Sequence, residues 1–268
     1  MERGRRLAVN GVELEYVEDG SGVAVVFSHG GASDMRYWAP QEAAFSAAHR
    51  FVAYSRRFHG AGWWPPEADA SPDAYADDLI AIMTRLAAGP VHVVGFSTGV
   101  ALNAAAREPA LFRSLTIVEP NVPSLLTDDG DRDLLHTWRS ATERIRKLHG
   151  SDPARHAEAW FELVNNQGPS AFARQPAAFR EMWLANFGAK RSPTAAPELT
   201  CGALSAINVP TLVLGTEHGM PYSRRIVERV ADCIPDARTV ILPNATHFVS
   251  YQAPPVFNEP ILAFLAEH

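Results

Sequence analysis

The chain has 268 residues, 47% hydrophobic and 20% charged, with a formal net charge of -6; this excludes a disordered, poorly hydrophobic chain and a basic nucleic-acid-binding surface. That length suits one large α/β domain carrying an insertion. Cys201 and Cys233 match no metal-ligand spacing and read as structural, and MERGRRLAVNGVELEY at the N-terminus has charges but no apolar signal core, so a cytoplasmic chain with no membrane association is expected.

Short β-rich runs alternate with helical stretches along the chain. LEYVE (14–18), VAVVFSH (23–29) and FVAYS (51–55) read as the first strands. SPDAYADDLIAIMTRLAAG (71–89) follows as a helix, with Ser71 to cap it, Pro72 at the first helical position and Gly89 beyond its end. Further strands are VHVVGF (91–96) and LTIVE (115–119), then TLVLG (211–215) and RTVILP (238–243). Such alternation predicts an α/β fold, a mostly parallel central sheet with helices on both faces. Between 122 and 205 the pattern is helical with no strand-like run, so the core is expected over 1–121 and 206–268, with 122–205 as a helical cap insertion. No internal repeat or low-complexity tract is present.

The most informative stretch is VHVVGFSTGVALNAAA (91–106), a strand, then Gly95-Phe96-Ser97-Thr98-Gly99, then an alanine-rich helix. A serine at a tight strand-to-helix turn projects its hydroxyl above the sheet, and the start of the helix offers N–H groups and a positive dipole end to a developing oxyanion. The bland alternative is a Gly-rich turn whose serine caps a helix. The strand before it and the helix after it favour a nucleophile.

Over essentially its whole length the sequence resembles the α/β-hydrolase superfamily. VVFSHGGASD (25–34) is similar to that family's HG oxyanion loop, and the resemblance implies an oxyanion hole made by the backbone N–H groups of Gly31 and Thr98, with His29 supporting the loop. It also implies that His247, in the loop after the last strand, is the base. Nine other histidines include His136, His149 and His156 in the insertion, His92 in a strand and His59 in RRFHGAGWW. A hydroxyl is a weak nucleophile at neutral pH, and a positioned imidazole removes its proton during attack.

The acid has two candidates. PTLVLGTEHGMP (210–221) resembles the strand and loop where the superfamily usually keeps an aspartate, but that place holds His218 or Gly219, and Glu217 comes one or two residues early. Glu119 ends the strand LTIVE. In haloalkane dehalogenases and zearalenone-type lactonases the acid follows the strand after the nucleophile helix, and VEPNVPSLL (118–126) resembles the acid-bearing segment of those lactonases. The resemblance therefore implies a triad of Ser97, His247 and Glu119, with Glu217 as the alternative acid.

A serine nucleophile argues against dehalogenase chemistry, which needs a carboxylate there. The insertion carries Trp138, Trp160, Phe161, Phe172, Phe179, Trp183 and Phe187; most of these are expected to pack the cap, and Trp183 faces substrate by resemblance to the lactonases. An apolar or aromatic ester or lactone is the expected substrate. The alternatives are a serine-triad C–C bond hydrolase or lyase, and a non-catalytic ligand-binding homologue. No cofactor and no metal are expected. The expected partner is a small-molecule substrate, with no nucleic acid and no membrane, and a homodimer is left open. RRFHGAGWWPP (56–66) departs from the usual loop after its strand.

Overall fold

The computed structural model describes residues 4–87, 89–189 and 199–268. Eight strands run as β1 (Arg5–Val9), β2 (Val12–Asp19), β3 (Ala24–Ser28), β4 (Arg50–Tyr54), β5 (Val91–Phe96), β6 (Phe112–Val118), β7 (Thr211–Thr216) and β8 (Ala237–Leu242). They form one sheet in the order β1-β2-β4-β3-β5-β6-β7-β8. The β1–β2 and β2–β4 pairs are antiparallel and the other pairs parallel. Every residue of β3, β5 and β7 is buried. Parallel strands covered on both faces must be apolar without alternation, and this is why these runs were readable as strands.

The sequence reading had no strand at 5–9. RRLAV is mostly exposed, and Arg6 is held to Glu13 of β2 at 2.7 Å while Arg5 pairs with Glu18. An edge strand stays in place through backbone pairing and keeps charges outward, so it lacks an apolar signature.

The helices are α1 (Glu42–Ser46), α2 (Pro72–Leu86), α3 (Val100–Arg107), α4 (Asp129–His149), α5 (Pro153–Asn165), α6 (Ala177–Asn186), α7 (Cys201–Leu204), α8 (Pro221–Cys233), α9 (Val249–Gln252) and α10 (Pro254–Glu267). Ser71 caps α2 by accepting the Ala74 N–H, but the helix stops at Leu86, short of the expected end, because Ala87 turns to an extended conformation; Ala88 lies outside the described residues.

Between β6 and β7 the described chain forms α4 to α7 and no strand, while 190–198 of the expected insertion and 1–3 of the expected core lie outside the described residues. The start of α4 is anchored to the core by charge. Asp131, 2% exposed, accepts from Arg225 at 2.7 Å and Arg229 at 2.8 Å on α8. Cys201 and Cys233 form a disulfide that ties the start of α7 to the end of α8; closing a loop this way stabilises the fold by about 2–4 kcal/mol. No helix among the described residues is long and apolar enough to cross a membrane.

His92 on β5 is buried away from the carboxyl edge, with Nδ1 2.7 Å from Ser114 Oγ. Burial first, then the neighbouring His49, lower its pKa to about 4. The unfolded chain, with a histidine pKa of about 6.5, takes up this proton first. Stability from His92 is therefore complete above that value and is lost as pH falls toward the folded value. Urea unfolding at pH 7 and pH 5 is expected to show a smaller acid loss in His92→Gln than in the wild type; equal losses would exclude His92 as the sensitive group.

Candidate functional site

Loops at the carboxyl ends of β3, β4, β5, β6 and β8 meet around one cavity. Ser97 sits directly after β5 and before α3 with φ +62, a conformation that L-residues avoid and that turns its side chain out of the sheet. Its N–H is bonded to Val118 O at 2.9 Å, which fixes the turn to the end of β6. Glu119 follows β6 and is also left-handed, with φ +46.

These two residues and His247 form a continuous chain of contacts. His247 Nε2 is 3.2 Å from Ser97 Oγ, and His247 Nδ1 is 3.2 Å from Glu119 Oε2. Glu119 is 2% exposed, and its Oε1 accepts from the Thr216 N–H at 2.8 Å and the Thr216 hydroxyl at 3.0 Å. Three donors thus surround a buried carboxylate, which keeps it an acceptor and directs the Nδ1 proton toward it. That tautomer leaves Nε2 with a lone pair facing the serine hydroxyl. The imidazole is wedged by Phe96 and Phe248, each with its ring centre 4.9 Å away.

Glu217 lies apart from this chain. It is exposed, and its Oε2 accepts the backbone N–H of Asn244 at 2.7 Å, holding the turn where Asn244 has φ +52. The acid candidates are separated by local geometry: the carboxylate at the end of β6 turns inward and the one after β7 turns to solvent.

Gly31 and Thr98 line the cavity beside Ser97. The Thr98 N–H is donated to Phe96 O at 2.7 Å, closing a tight turn about Ser97, so a substrate oxygen would share it with that carbonyl. The cavity holds about 280 Å³, and its walls include Trp138, Trp160 and Trp183 from the insertion. Trp183 is 2% exposed, donates its indole N–H to Ala157 O at 2.9 Å and packs on Phe161, Phe179 and Phe248. It is a pillar as much as a wall.

The sequence reading missed Arg56, His59 and Tyr75, which also line this cavity. The signal for Arg56 and His59 was the departure of RRFHGAGWWPP from the usual loop; Tyr75, on α2, had none. Phe58, with φ +65, turns toward Trp64 within that loop and toward Tyr75 on α2. Arg56 stacks over the Tyr75 ring at 5.2 Å, and Arg57 pairs with buried Asp78 at 2.6 Å. Asn186 of α6 bridges the same loop to the one after β3: its amide donates to Asp34 Oδ2 at 2.8 Å and its carbonyl accepts the Gly60 N–H at 2.8 Å. Among the described residues, no group of three or more His, Cys, Asp or Glu side chains is placed to hold a metal.

An eight-stranded sheet with this order, and a serine at the turn between its central strand and the next helix, define an enzyme of the α/β-hydrolase type. Residues 25–259 match the alpha/beta hydrolase family, and the chain belongs to it. Over 97% of its length it is 23% identical to the 2-(acetamidomethylene)succinate hydrolase of Mesorhizobium japonicum, covering 94% of that protein. The carboxylesterase CesB of Bacillus subtilis shares the fold with a TM-score of 0.79 at 19% identity, over 99% of this chain and 92% of that one. Est816, described as an N-acyl homoserine lactone degrading enzyme, aligns with a TM-score of 0.75 at 20% identity, over 97% and 100%.

Proposed function

We propose that this protein is a serine hydrolase that cleaves an apolar or aromatic carboxylic ester or lactone through an acyl-enzyme. The observation that carries the reading is the relay from Ser97 Oγ through both ring nitrogens of His247 to Glu119, each contact 3.2 Å long, opening on an aromatic-walled cavity. Ser97 Oγ attacks the substrate carbonyl carbon as His247 Nε2 takes its proton, and the carbonyl π pair moves onto oxygen. The N–H groups of Gly31 and Thr98 receive that oxyanion, and Glu119 stabilises the imidazolium. Collapse breaks the bond to the leaving oxygen, which takes the proton from His247. Water, deprotonated by the same nitrogen, then releases the acid.

The apolar share of the substrate is set by the aromatic walls, Trp138, Trp160, Trp183, Phe96 and Phe248. The names of the relatives above, a carboxylesterase, a lactone-degrading enzyme and a hydrolase, also support acyl transfer to water. The insertion serves as the lid and Trp183 as part of the substrate wall. Cytoplasmic placement belongs to the proposal; the Cys201–Cys233 disulfide then has to persist against the cytosolic thiol pool, and alkylation before and after reduction reads its state.

Fluorophosphonate treatment is expected to add one phosphonyl group to the peptide containing GFSTG, seen by mass spectrometry. Labelling of another peptide, or none in a folded sample, would remove the mechanism. Short aryl esters and small lactones in water enriched in heavy oxygen are expected to return the label in the carboxylate product.

A further inference from the structure

The carbonyl oxygen of Gly30 receives three side-chain groups. Arg56 reaches it through Nη2 at 2.6 Å, Ser33 through its hydroxyl at 3.2 Å and His29 through Nδ1 at 2.8 Å. The role of His29 is set by its other nitrogen: Nε2 accepts the Arg56 backbone N–H at 2.9 Å, so the proton resides on Nδ1 and is donated to Gly30. Burial first, then Arg56 and His59, hold His29 well below the ordinary histidine range and keep the ring neutral. All three donor side chains are buried, so water does not compete for these bonds.

Gly30 C=O and Gly31 N–H are the two ends of one planar peptide unit. Donors on the oxygen, one of them a cation, draw electron density toward it and leave the amide hydrogen more positive; they also fix the plane. That plane is pressed against the nucleophile. A Cβ placed on Gly30 would stand 3.1 Å from Ser97 Cβ and 2.8 Å from the Phe96 ring, so only glycine lets the peptide approach this closely. Because the Thr98 N–H is already shared with Phe96 O, more of the oxyanion's stabilisation falls to Gly31.

We propose that Arg56 is a positioning residue that acts through the Gly30 carbonyl to set the direction and donor strength of the Gly31 N–H toward the oxyanion, with Ser33 and His29 as its supports. This rests on the serine-hydrolase reading above.

The test uses 4-nitrophenyl acetate, which is uncharged, and an aryl boronic acid that forms a tetrahedral adduct with a serine hydroxyl. Arg56→Met is expected to lower kcat at least about tenfold with KM within about twofold, less than the loss of a whole oxyanion donor. Boronate Kd is expected to weaken by about the factor lost in kcat/KM. Arg56→Lys, with a cation but no planar fork, is expected to recover part of the loss, and Ser33→Ala to cost about threefold in kcat alone. Should Arg56→Met fail to fold, Arg56→Lys and Ser33→Ala carry the same comparison. A kcat within twofold of wild type in the folded variants overturns the proposal. So does a defect confined to the KM of carboxylate-bearing esters, which would mark Arg56 as an anion receptor. Wild-type labelling separates the two levels: an unlabelled Ser97 removes the hydrolase reading, whereas labelled Ser97 with unchanged kcat in the variants removes only the role of Arg56.

Discussion

Glu119→Gln is expected to lower kcat by about 10⁴-fold, the scale on which a triad carboxylate acts, while leaving the fold intact. The reason lies in the two oxygens of Glu119. Oε1 is held by two donors from Thr216, at 2.8 and 3.0 Å, and Oε2 faces His247 Nδ1. A glutamine must give its carbonyl oxygen to Thr216, which leaves its NH2 group against Nδ1. The ring then turns its Nδ1 lone pair to that amide and carries its proton on Nε2, where it cannot accept from Ser97. Glu217→Gln should stay within about twofold of wild type, because its exposed carboxylate holds only the Asn244 turn. Turnover of an aryl ester by both variants, with melting curves as a control for folding, decides the matter. A crippled Glu217→Gln beside a normal Glu119→Gln would place the acid after β7. A Cβ on Gly219 would lie 3.4 Å from Glu119 Oε1 and 2.7 Å from Thr216 Oγ1. Gly219→Asp added to Glu119→Gln is expected to regain part of the loss once the Thr216 side chain rotates away, because it sets a carboxylate where the superfamily usually keeps one.

Trp183→Ala should unfold the protein more readily and also narrow its substrate range. The indole is 2% exposed, keeps a hydrogen bond to Ala157 O at 2.9 Å and fills the space between Phe161, Phe179 and Phe248. Truncating a buried tryptophan costs about 3–5 kcal/mol, which in a chain of this size lowers Tm by on the order of 10 °C. Phe248, one wall of the space left behind, also borders the His247 ring. The kinetic expectation is a larger loss in kcat/KM for a bulky aryl ester than for an acetate, since contact area is removed while Ser97 and its partners remain. Scanning calorimetry and the two kcat/KM values measure both effects. An unchanged Tm would show that the indole packs against nothing that matters for stability.

The sequence by itself determined the sheet's centre and the place of the serine. Strands such as β5 and β7 are buried on both faces, and burial of that kind writes itself into a few consecutive residues as an apolar run between turn signals. The elbow at Ser97 is local too: a strand, a glycine-flanked serine and a helix within sixteen residues (91–106). The charged β1 was illegible, because an edge strand needs only backbone partners. Which acid faces His247 was decided in three dimensions, by a left-handed backbone at Glu119 and by Thr216 donors on a neighbouring strand. Arg56 was likewise invisible as a partner of Gly30. The sheet places β3 between β4 and β5, so the loops leaving those three strands converge, although they are far apart in the chain. Residue patterns report burial and backbone preference over a few positions; contacts between loops depend on strand order, crossover direction and the φ of single residues, and those are properties of the folded chain.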